Sequence, residues 1–129
     1  MLEGYLLWKE LNKSKAYCDS CELAELLSEI TSKWNYFTKK ELGLQLIRSA
    51  DSIGANIAEA FGRYFYKSKL NFYYYARGSF LETAAWIEKA IKRKLLTAEE
   101  KQKVLEFMEK LPSEIGVLIE NLRTQIKKS

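Results

Sequence analysis

The stretch QLIRSADSIGANIAEAFGRY, residues 45–64, limits the fold more than any other, because it carries two regular stripes instead of one. Leu46, Ala50, Ile53, Ile57 and Phe61 recur at spacings of three and four, the period of a helix with one buried face. Gln45, Ser49, Ser52, Asn56, Glu59 and Arg63 recur as strictly, and on a helical wheel they fall within roughly 40° of one line. That line borders the apolar face, and the exposed side is the one carrying Arg48, Asp51 and Ala55. Serine and asparagine are mediocre helix formers, so three of them in register call for a packing or bonding role. The pattern predicts an inter-helix polar network: Ser52, Asn56 and Glu59 meeting Ser79, Thr83 or Glu82 of another helix and setting its register. The plainer alternative is a half-exposed flank in which Glu59 and Arg63 pair at i, i+4.

The rest of the chain repeats the helical period. Leu23, Leu26, Leu27 and Ile30 mark a first helical region over residues 2–31, open to interruption where residues 12–20 turn polar. Thr38, with Glu41 three residues on, is the expected cap of the second helix. The third, residues 68–94, shows the seam Leu70, Tyr73, Arg77, Phe80, Ala84, Ile87, Ile91 beside a second seam of Phe72, Ala76, Trp86 and Ala90, so more than one neighbour must cover it. Thr97 to Glu100 is a capping box for a fourth helix, whose seam runs Val104, Met108, Leu111, Ile115, Leu118, Leu122, Ile126. Pro112 lies inside that seam and is expected to kink or split it. Period-2 alternation is not sustained anywhere. The expectation is all-α: one domain of 129 residues, an antiparallel up-down-up-down four-helix bundle.

The chain has no histidine, which excludes Ser-His-Asp and Cys-His catalysis within it. Its two cysteines, Cys18 and Cys21 in CDSC, lack the βαβ context of a redox site and the further ligands of a structural zinc, so they read as ordinary thiols. No catalytic residue, metal ligand or cofactor site is assigned, and no enzyme activity is expected. Without a signal-like or membrane-length apolar run, the expected setting is cytoplasmic, with no membrane partner.

Net charge is +4, but residues 63–94 hold eight basic residues and only two acidic ones. The run GRYFYKSKLNFYYYARG, residues 62–78, interleaves seven of the seventeen aromatics with Arg63, Lys67, Lys69 and Arg77. Cations for phosphate and rings for base stacking suit RNA or DNA, with Lys92, Arg93 and Lys94 as further candidates for nucleic-acid binding. The same residues suit a subunit interface or the core, and Lys92 to Lys94 also complement a helix dipole.

SIGANIAEAFGR followed by ARGSFLE resembles the family of 23S rRNA intervening-sequence proteins. Gln45, Leu46, Arg48, Ala50, Ser52, Ile53, Asn56, Ile57, Ala58, Glu59, Gly62 and Arg63 match its first motif. Ala76, Gly78, Ser79 and Glu82 match its second, and LLWKE resembles its opening. Ala60 stands where a glycine is usual, and Gly54-Ala55 replaces a common Pro-Ser. The resemblance implies a four-helix bundle assembling as a homopentamer, without enzymatic activity. The related accessory protein of diversity-generating retroelements implies nucleic acid and a reverse-transcriptase-like protein as partners. A protein-interaction scaffold with no nucleic-acid role is the alternative.

Overall fold

The computed structural model describes residues 2–129. Every regular element among them is helical: α1 (Leu2–Leu11), α2 (Lys15–Ser32), the short α3 (Tyr36–Thr38), a π-helical segment (Lys39–Gly43), α4 (Leu44–Gly62), α5 (Tyr66–Lys92) and α6 (Ala98–Lys128). No strand occurs among the described residues.

The first helical region is interrupted, because local side chains satisfy the backbone at the break. Asn12 Nδ2 donates to Trp8 O at 2.8 Å. Ser14 Oγ, the N-cap of α2, accepts from Tyr17 N at 3.3 Å. The Cys18 thiol donates back to Asn12 O at 3.2 Å. The N-cap expected at Thr38 is instead Asn35, whose Oδ1 accepts from Thr38 N at 2.9 Å. Thr38 is already helical, with φ −63 and ψ −41, and makes no side-chain cap. Two acceptor residues competed, and the one with extended backbone, Asn35 at φ −65 and ψ 164, took the role. The chain widens through Lys39–Gly43 and continues directly into α4.

α6 opens on a reciprocal capping box, Thr97 N to Glu100 Oε1 at 2.9 Å and Glu100 N to Thr97 Oγ1 at 3.1 Å. It then passes Pro112 without splitting, so of the expected kink or split the second does not occur. Pro112 faces solvent and removes one donor only. Leu111 and Ile115 beside it are buried in the same core and hold both halves in place.

α2 packs on α4 and α6, and α5 packs on the same two helices. The core between them is built from Leu23, Leu27, Leu46, Ile53, Ile57, Ile87, Val104, Leu111 and Ile115, among others. On α5 the buried residues are Tyr73, Ala76, Phe80, Thr83, Ile87 and Ala90. These merge the two expected seams and leave Arg77 outside, since a guanidinium on the flank can reach water. α2 and α4 approach closely at Gly54, where an added Cβ would lie 3.2 Å from Ser20 Oγ. Among the described residues, no helix is long and apolar enough to cross a membrane.

Candidate nucleic-acid interface

The polar stripe of α4 meets α5 at two points. Asn56 Nδ2 donates to Ser52 O at 2.9 Å and lies 3.4 Å from Ser79 Oγ on α5. Thr83 Oγ1, fully buried, lies 3.0 Å from Ser49 Oγ and 2.8 Å from Ser79 O. Ser49 Oγ is itself 3.0 Å from Leu46 O. Two hydroxyl protons therefore serve three short contacts, and each oxygen keeps a partner. The other members of the expected network turn back along their own helices. Ser52 Oγ donates to Arg48 O at 2.9 Å. Glu59 pairs with Arg63 at 3.6 Å. Glu82 accepts from Trp86 Nε1 at 3.1 Å.

The seven basic candidates separate into distinct environments. Arg63 is the extended residue that ends α4, and its guanidinium lies 4.6 Å from the Phe72 ring centroid. Lys67 is exposed and has no ion-pair partner among the described residues. Lys69 is occupied: its Nζ donates to Ala60 O at 3.1 Å and Phe61 O at 3.3 Å, closing the end of α4. Burial holds its pKa below the ordinary lysine value. Arg77 lies 4.9 Å from the Tyr74 ring centroid. Lys92 reaches Glu88 at 3.9 Å.

Arg93 and Lys94 close α5. Lys94 adopts the left-handed conformation at φ 58, with Lys94 N to Ile91 O and Leu95 N to Ala90 O both at 3.0 Å. That is a Schellman closure in which lysine takes the place usual for glycine. Lys67 and Lys92 stand 25 residues apart on one helix, a separation of about 38 Å. The candidates therefore form two groups, one at each end of α5, with Arg77 between.

Three exposed rings gather with cations at one of these ends; at the other, Phe37, 71% exposed, lines a cavity with Arg93. In the short α4–α5 turn, Tyr64, Phe65 and Tyr66 are 87%, 71% and 43% exposed. Arg63 and Lys67 flank them, also exposed. Tyr64 and Phe65 pack edge to face, with centroids 5.0 Å apart. Farther along the aromatic run, Tyr73 is buried and Phe72 and Tyr74 pack against the core.

Sequence reasoning missed a carboxyl contact between α2 and α6. Asp19 Oδ2 and Glu114 Oε1 are buried without any other partner. Lys110 lies 3.7 Å from Asp19. Burial raises the Glu114 pKa to about 7, with a hydrogen bond to Asp19 and the charge of Asp19 adding to it; Lys15 and Lys110 oppose the rise. The signal was present in the periodicity, since Asp19 sits among the inward positions Ala16, Ser20 and Leu23. Also missed was Trp34, whose Nε1 donates to Leu95 O at 3.2 Å and ties the end of α2 to the α5–α6 connection. Burial pushes the Cys21 thiol pKa up. No group of three or more metal-ligating side chains occurs among the described residues.

These features define an all-helical protein in which two serine-bearing helices carry the matched motifs and an aromatic, basic turn joins them. The chain belongs to the 23S rRNA-intervening sequence protein family, whose model matches residues 12–116. That span holds both motifs and begins just past α1, so the LLWKE run lies outside it. Among solved structures, a protein of unknown function from the S23 ribosomal protein family of Bacteroides thetaiotaomicron VPI-5482 has the same fold. Its TM-score is 0.70 at 24% identity, covering 81% of this chain and 97% of that one. None of the curated proteins matches the chain.

Proposed function

We propose that this protein works without catalysis, as a self-assembling antiparallel up-down-up-down four-helix bundle in the cytoplasm that grips nucleic-acid strands at the Arg63–Lys67 turn. The observation that carries the reading is the coincidence of three exposed rings with two exposed cations in one short connection. Rings stack on bases of any identity, and the cations neutralise adjacent phosphates. The family assignment agrees with such a role. Self-assembly is supported by apolar surface that a lone copy leaves in water: Leu2, Tyr5, Leu6, Leu7 and Trp8 of α1, and Tyr36 and Phe37 of α3. A ring of five is the assembly the resemblance implies.

The test is fluorescence anisotropy of a labelled single-stranded RNA titrated with the protein. Binding should weaken as salt rises. Replacing Tyr64 by Ala should weaken it by about 5- to 150-fold, from roughly 1–3 kcal/mol per stacked base. Lys101→Glu, an exposed position at the start of α6 and away from the turn, should change it far less. Absence of binding at low salt would overturn the proposal.

A protein-interaction scaffold is the second reading, and α1 favours it. Every residue from Leu2 to Glu10 is exposed, and a helix this short is marginal in water unless something packs on it. In that case a protein, a reverse-transcriptase-like one among those the resemblance implies, should be recovered in a pull-down that nuclease does not reverse.

A further inference from the structure

Two surfaces remain unused by this reading, and they complement each other. Between α2 and α6 runs an open groove of about 580 Å³ with Leu26 and Phe107 at its floor. Glu22, Glu25, Glu29 and Glu106 line its sides, and none of them has an ion-pair partner among the described residues. Lys103, also at the rim, is taken by Glu99 at 3.2 Å. On the outer face of α5, Leu81 stands 63% exposed, with Ala85 exposed one turn on. Lys89 and Lys92 continue that face. Lys89 is unpaired among the described residues, and Lys92 reaches only Glu88, at 3.9 Å, with both side chains largely in water.

The two surfaces cannot meet within one copy. α2 and α5 each pack on α4 and α6 and so stand diagonally opposed, with the groove and the α5 face on opposite sides. They do lie at the same height. Trp34 bonds Leu95, and Lys33 approaches Glu100, so the end of α2 is level with the α5–α6 connection. Glu25 and Glu29 are about two turns or less from that end of α2, as Lys89 and Lys92 are from that end of α5.

We infer that the outer face of α5 seats in the α2/α6 groove of a second copy, with Leu81 and Ala85 against Leu26 and Phe107, and Lys89 and Lys92 against Glu25, Glu29 and Glu106. This deepens the self-assembly reading above and rests on it. The occupant is a second copy because the groove is acidic with an apolar floor, and this chain carries the matching basic and apolar face at the same level. Glu88, within that face, is offset by Lys92 beside it. The contact joins two different patches, so it propagates head to tail, and equal height lets copies stand side by side and close a ring. Under this arrangement Lys92 serves assembly, which leaves Arg63 and Lys67 to the nucleic acid.

The test is the solution mass of four chains by light scattering, with helicity checked by circular dichroism. All the substituted positions are exposed, so each variant should keep the fold. The unaltered chain should run as a multiple of its 15.0 kDa protomer. Glu25→Lys with Glu29→Lys should drop it to the protomer, and so should Lys89→Glu with Lys92→Glu. All four substitutions in one chain should restore the original mass, because the charges are exchanged across every contact and the restored chain closes at any ring size. If either double variant keeps the original mass, or if the fourfold variant stays at the protomer, the pairing is wrong. An unaltered chain found at 15.0 kDa removes the self-assembly reading itself, so the two failures are told apart.

Discussion

The two polar contacts that tie the long helices together are built in opposite ways. Between α4 and α5 the groups are neutral: Ser49 Oγ lies 3.0 Å from Thr83 Oγ1, and Asn56, bonded to Ser52 O of its own helix, lies 3.4 Å from Ser79 Oγ. Between α2 and α6 they are acidic: Asp19 and Glu114 face each other with buried oxygens that have no further partner, and Lys110 stands nearby. A neutral contact with every group bonded costs little to bury and does not respond to pH. A carboxyl pair is comfortable only while a proton lies between its members. One contact is therefore expected to hold its alignment at every pH, and the other to respond to protonation.

The largest expected effect is on the acidic side. The Glu114 pKa is raised to about 7 from 4.5, so the folded chain holds that proton more tightly than the unfolded one. Its stabilising contribution is complete below the unfolded value and is lost as pH rises through about 7. Urea denaturation from about pH 4.5 to pH 8 should show stability falling across this window. The drop is bounded by about 3 kcal/mol and reduced by water reaching the half-buried side chain. Glu114→Gln should flatten the curve. A wild-type curve that rises or stays level through the window would remove the distinction between the two contacts.

On the neutral side, Thr83→Val should cost about 1–2 kcal/mol by removing the buried hydroxyl. Adding Ser49→Ala should recover part of that, since both ends of the contact are then apolar. Both losses should be the same at acid and neutral pH. A pH-dependent loss at Thr83 would mean that the α4–α5 contact is coupled to a titrating group. Lys94→Gly should stabilise by about 1 kcal/mol at every pH, because glycine adopts the left-handed conformation without the Cβ penalty. It supplies a flat reference in the same chemical denaturation series. Lys110→Met should change stability by only a few tenths of a kcal/mol, because the lysine is largely solvated. It should also move the pH-dependent fall upward by removing a cation that opposes protonation of Glu114.

How far each contact could be read in advance follows from its chemistry. The α4 stripe was legible as a face, because periodicity assigns side chains to one, but not member by member: Ser49, outside the expected network, meets Thr83, while Ser52, inside it, turns back to Arg48 O. Glu59 and Glu82 sit on the same lines, yet their longer side chains bend back to Arg63 and Trp86. A face gives direction, not partner. The Asp19–Glu114 contact joins residues far apart in the chain, and only the packing of α2 against α6 brings them together. Local competition was equally illegible. Asn35 and Thr38 are both able caps, and a proline ends a helix unless buried neighbours such as Leu111 and Ile115 keep it continuous. In the basic run, residue type could not show that Lys69 is used up by the carbonyls of Ala60 and Phe61 or that Lys94 serves a turn.

Association underlies both the nucleic-acid reading and the α5 contact, with apolar α1 and the acidic groove as surfaces a second copy would cover. Light scattering on the purified, nuclease-treated protein measures it directly. The account predicts one species at a whole-number multiple of 15.0 kDa, held across a dilution series. A stable, soluble 15.0 kDa protomer at all concentrations would contradict it.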